Sequence, residues 1–169
     1  MLNIPEGSEV NLWFEDDLFC KVNMWFCLSI LPENKNLTIY RILPKADEKD
    51  HWKGFSASTN SNLEKSFSSK ILFDKNDIDL GIDLWKAYQE NNKELLSKLS
   101  ENQSICFPFL KDVIHAYLTI NPENFIKNLI ENGTTDFNEI FEKFRDELGI
   151  LGFGDLQVKV IYDKISAVK

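Results

Sequence analysis

Arginine is nearly missing from this chain: Arg41 and Arg145 are its only two. With 27 acidic side chains against 19 Lys plus Arg, the net charge is −8 at neutral pH, and no cluster of lysines offsets it locally. That balance disfavours nucleic acid and anionic membrane surfaces, because both are held mainly through phosphate. Histidine is just as scarce. His51 falls in a charged loop and reads as solvated, and His115 lies beside an apolar helix face and reads as a packing residue. The three cysteines, Cys20, Cys27 and Cys106, are odd in number and lack metal-ligand spacing. Cys20 and Cys27 stand roughly 10 Å apart along one helix, too far to bridge. Free thiols in a reducing, cytoplasmic compartment are the expectation. The first residues carry neither a basic nor an apolar leader region. The apolar part of Leu18–Leu31 is too short and too interrupted to span a bilayer. No glycine loop for phosphate and no activated Ser, Cys or Lys is recognisable, so no catalytic residue is assigned.

Aromatic residues are plentiful, with thirteen Phe and four Trp, and supply ample core material for one domain. The rest is organised around Glu9–Leu31. Val10–Phe14 alternates as a strand with a covered face. Glu15, Asp16 and Asp17 follow as a helix-start signal, since a carboxylate there accepts from free first-turn N–H groups and faces the positive end of the helix dipole. The helix behind them is apolar on almost every side, which requires packing on more than one face. Pro32 and Asn34 end it, and Leu37–Ile42 reads as a second strand, parallel to the first. Two strands do not make a stable sheet alone, so either a helical part covers them or strands that normally precede them are absent.

Leu43–Asn62 is polar and loop-like, longer than ordinary connections and hence mobile or functional. Ser69–Phe73 offers a short third strand. Asp74–Asp83 has the acids of a calcium loop but not its Gly and Glu at the required positions, so its acids read as caps. Helices are expected over Asp83–Leu99, about Pro108–Thr119, Glu123–Glu131 and Phe137–Leu148, with Gly133 and Gly149 as stops. Asp155–Ile165 is ambiguous: Val158, Val160 and Tyr162 alternate as a strand, while Leu156, Val160, Ile161 and Ile165 are spaced as a helix.

Four segments, in order, carry a resemblance. They are Leu12–Phe19, Trp85-Lys86-Ala87-Tyr88, Phe107–Leu110 leading to His115–Leu118, and Gly152-Phe153-Gly154-Asp155. Together they resemble the bacterial domain of unknown function 1835 family. The resemblance implies a Rossmann-like α/β start followed by a helical half. With the residue pattern this gives an α/β protein with a small parallel Rossmann-like βαβ sheet at the N-terminus (1–75) and a helical part (76–169), whose last helices could form a helix-turn-helix-like trio. It favours helix over strand for Asp155–Ile165. It implies no activity and no known cofactor. Family members usually begin with a further strand and a Gly-Asp turn that this chain does not show, as a fragment or shortened reading frame would.

Ligands of open parallel sheets bind at the carboxyl ends of the strands. Trp13, Glu15, Asp16 and Asp17 stand there, and are the candidate ligand-binding residues for a metal, ribose hydroxyls or a cationic substrate. Helix capping competes with that reading and needs only one or two of the acids. The alternative is an interaction module, with a protein partner on the C-terminal helices.

Overall fold

The computed structural model describes residues 4–45 and 48–167, with backbone alone at 48–51 and 57. It begins with β1 (Glu9–Trp13), α1 (Leu18–Ile30) and β2 (Thr38–Ile42). The two strands are parallel, in register from Glu9 beside Thr38 to Trp13 beside Ile42. The third strand, β3 (Ile71–Leu72), is present but antiparallel to β2, so the sheet is mixed, in the order β1-β2-β3. Alternation along β1 sends Val10 and Leu12 to the helical side, where they meet Met24, Trp25 and Leu28 of α1.

The polar stretch after β2 is not a plain loop. A 3-10 segment, Glu48–Ala57, precedes α2 (Asn60–Ser68), whose N-cap Thr59 accepts from the Asn62 N–H. The Ser/Thr/Asn run there is a cap signal as much as a loop signal. The helix expected over Asp83–Leu99 is two. α3 (Lys75–Gln89) starts earlier, on a capping box between Asp74 and Asp77, so the acids of the rejected calcium loop do act as caps. The chain then breaks at Asn91, left-handed at φ 52°, and Asn92 caps α4 (Lys93–Leu99).

α5 (Leu110–Thr119), α6 (Pro122–Glu131), α7 (Phe137–Leu148) and α8 (Asp155–Ser166) complete the fold. Gly149 does not stop α7 in the left-handed region. The chain continues through a 3-10 turn, Gly149–Leu151, and turns left-handed at Gly152 (φ 68°). The ambiguous last segment is helical. Val158 is fully buried, while Leu156 and Val160 are 76% and 70% exposed, a one-sided burial that a strand in this position would not give. Tertiary packing has overridden the strand propensity of its valines. Tyr162 Oη donates to the Thr135 carbonyl and Lys164 pairs with Glu123, tying α8 to α6 and α7.

Two apolar cores result. One joins the sheet to α1, α3, α4 and the start of α5, gathering residues on both sides of position 75. The other lies among α5–α8 and takes in Leu18 of α1. Among the described residues no helix is long and apolar enough to cross a membrane.

Candidate functional site

Where β1 gives way to α1, three consecutive acids point three ways. Asp17 is the N-cap of α1: its extended backbone (φ −67°, ψ 168°) lets Oδ1 accept from the Cys20 N–H at 2.9 Å. Asp16 turns inward. Its Oδ1 accepts from Lys21 Nζ at 2.9 Å and from Arg41 Nη2 at 3.1 Å, and all three side chains are buried. Arg41 Nη2 also donates to the Glu15 carbonyl, clamping the end of β2 to the β1–α1 turn. Two cations share one carboxylate, and burial pushes Lys21 down to about 8 against the pull of Asp16. Burial likewise lowers Arg41.

Glu15 faces outward and is half-buried. Its Oε1 accepts from the Phe55 N–H at 2.7 Å, so the 3-10 segment is tied to the start of α1. Burial raises the Glu15 carboxyl above its ordinary range, with the Phe55 bond acting the other way. Trp13 leaves this group altogether. Its ring packs against Phe55 and stacks on Phe67 at 6.1 Å, on the face of the sheet away from α1. Of the four residues singled out in the sequence, Glu15 and Asp17 therefore share a site, Asp16 lies beneath it, and Trp13 lies beside it.

That site is a cleft of about 410 Å³. Glu15, Asp17 and Cys20 form one wall; Trp52, Lys53 and Ser56 of the 3-10 segment form a second; Phe141, Phe144 and Arg145 of α7 with the Gly152–Gly154 turn form the third. Two glycines bring the walls together. A Cβ on Gly54 (φ 55°) would stand 2.0 Å from Glu15 Cδ, and one on Gly152 (φ 68°) would stand 1.8 Å from Asp17 Oδ1. Both positions need left-handed backbone and no side chain, and glycine alone supplies both without strain. The Gly-Phe-Gly-Asp turn thus seats against a carboxylate as well as starting α8, where Gly154 rather than Asp155 is the N-cap residue.

Cys20 was not legible as a site residue. Its place follows from the cap, because the third helical residue is the one whose N–H the N-cap side chain takes. One donor atom from each of Glu15, Asp17 and Cys20 lies within 4.8 Å of the others, and these are the groups that could hold a metal. Burial and the neighbouring acids push the Cys20 thiol up to about 12, so in the folded cleft it is held protonated at neutral pH. The walls together offer two carboxylates, the cations Lys53 and Arg145, and aromatic surface, a setting for a charged group on an apolar body.

Other candidates fall away. A wider depression of about 530 Å³ along residues 100–112 is lined by one continuous stretch of chain, in which Lys111 pairs with Glu101. His115 is exposed rather than packed, and the His51 side chain lies outside the described residues. No family model, curated protein or solved structure matches this chain.

Proposed function

We propose that this is a small-ligand-binding α/β domain whose site is the cleft at the carboxyl end of β1, and that its ligand carries an amine or guanidinium. One observation carries the reading. Glu15 and Asp17 open onto the same cleft as Phe141 and Phe144 from the far end of the chain. Asp16 is ion-paired with Lys21 and Arg41, whereas among the described residues no salt bridge engages these two carboxylates. The resemblance to the domain of unknown function 1835 family, which rests on the four sequence segments alone, is compatible with this reading and adds no activity. A cytoplasmic setting is part of the proposal, supported by three free thiols.

A thermal-shift screen of agmatine, spermidine, arginine and divalent cations tests it. A ligand at about 100 times its Kd adds ~2.7 kcal/mol of stability. For a chain of this size that raises Tm by roughly 5–10 °C. Glu15→Gln and Asp17→Asn keep shape and capping while removing charge, so the shift should shrink in both. A hit indifferent to both substitutions places binding elsewhere.

A second reading has its own observation. Leu156 and Val160, one helical turn apart on α8, are the most exposed large apolar residues beside Ile105. They supply an apolar strip on the helix-turn-helix-like trio α6–α8, suited to a protein partner or self-association. Sedimentation equilibrium decides it. A concentration-independent monomer, unchanged in Leu156→Glu, counts against the strip as a self-association surface.

A further inference from the structure

We propose that Trp52–Ser56 is a movable strap forming one wall of the cleft, closed by the Phe55 N–H on Glu15 and opened to widen the way for the ligand. The purpose assigned to it rests on the ligand reading above; its existence does not.

Several contacts hold the strap, the packing of the Phe55 ring on Trp13 among them. Phe55 donates its N–H to Glu15 Oε1 at 2.7 Å. Gly54 sits flush against the same carboxylate, closer than any side chain would allow. Trp52 packs edge-on to Phe109 with ring centroids 5.9 Å apart, and its Cβ touches the space a side chain on Gly149 would fill. Trp52, Lys53 and Ser56 of the strap line the cleft directly. The backbone that makes the strap is a ten-residue 3-10 stretch. Runs beyond three or four residues in that geometry are uncommon, because its hydrogen bonds are poorer than those of an α-helix. The segment therefore depends on its anchors rather than on its own helix.

The Glu15 anchor is also the carboxylate a cationic ligand would meet. With the strap shut, the Phe55 N–H occupies Oε1, and Oε2 faces the Cys20 sulfur at 4.0 Å. A ligand amine bound at Glu15 shares this carboxylate with the Phe55 N–H, so binding at Glu15 and closure of the strap are linked.

Cys20, half-buried in the cleft wall that faces the strap, reports on opening. Cys27 and Cys106 lie elsewhere and serve as controls within the same molecule. The experiment is alkylation of the native full-length chain by iodoacetamide at fixed pH, with each cysteine's rate read by peptide mass spectrometry. The variant is Gly54→Val, which forces a β-branched residue into left-handed backbone against Glu15 while leaving Glu15 and Cys20 intact. A strap weakened this way opens about tenfold more often, and Cys20 should label about that much faster with Cys27 and Cys106 unchanged. Phe55→Pro removes the N–H that closes the strap and should act in the same direction, which keeps the question decidable if Gly54→Val does not fold. An unchanged Cys20 rate in the folded variants overturns the proposal. So does a parallel rise at all three cysteines, which reports loss of the whole fold. No ligand enters the experiment, so its failure and a failure of the ligand reading are separate results.

Discussion

Asp16 holds two buried cations on a single oxygen, and the charge there does not balance. Removing the carboxylate and removing one cation should therefore have opposite consequences. Asp16→Asn leaves Lys21 and Arg41 buried without a counter-charge, and should cost roughly 3–5 kcal/mol. Lys21→Met leaves one carboxylate with one guanidinium, and should be neutral or stabilising at pH 7. Urea unfolding of the two variants checks both; equal losses would contradict this account of the cluster. The same lysine sets a pH dependence. Its folded pKa, about 8, lies below the ordinary 10.5. Above pH 8 the native chain has released a proton that the unfolded chain still holds, so stability rises with pH between about 8 and 10.5. Cys20 and Cys106, raised from 9.0 to about 12, act the other way and lower stability above pH 9. Between pH 8 and 9 the urea midpoint of the wild type should therefore rise relative to that of Lys21→Met.

At the scale of elements, α1 depends on its cap and on the turn that presses against it. Asp17→Ala removes the acceptor for the Cys20 N–H and should cost about 1 kcal/mol, whereas Asp17→Asn should cost little, since Asn caps as well. Gly152→Ala should cost more than Asp17→Ala, because it combines left-handed strain with a collision against the Asp17 carboxylate. Thermal unfolding orders the three; Gly152→Ala as the mildest would contradict the close approach. Caps and helices of this kind were largely legible in the residues. The stripe of Phe137, Ile140, Phe141 and Phe144 marked α7, and the parallel pairing of β1 with β2 followed from a strand, a helix and a strand in close succession. Less legible was anything that depends on contacts distant in the chain. The direction of β3 is set by pairing with β2, and the helical state of Val158–Tyr162 by burial against α6 and α7. Three adjacent acids look alike in sequence. Only the folded positions of Lys21, Arg41 and Phe55 separate a buried ion cluster from a cleft wall.

For the whole molecule, the cleft lies where the two cores meet. α1 contributes Met24, Trp25 and Leu28 to the first and Leu18 to the second, and α5 is likewise shared. Elements common to both cores make separate unfolding costly, so a single cooperative transition is expected. Far-ultraviolet and near-ultraviolet circular dichroism should report one coincident midpoint, and two resolved transitions would contradict the shared-core architecture. The arrangement also explains why the candidate site could not be assembled from one motif. Its carboxylates come from residues 15 and 17, and its aromatic wall from residues 141 and 144.

The most direct test of the central claim is a nitrogen-15 amide titration of the protein with agmatine. Binding at the proposed cleft should move the Phe55 amide, which is bonded to Glu15, and the Cys20 amide, which is bonded to Asp17, together with those of Gly152 and Gly154. These shifts should saturate and should be lost in Glu15→Gln. Shifts confined to residues 100–112, or none at Phe55 and Cys20 for any cation in the screen, would contradict it.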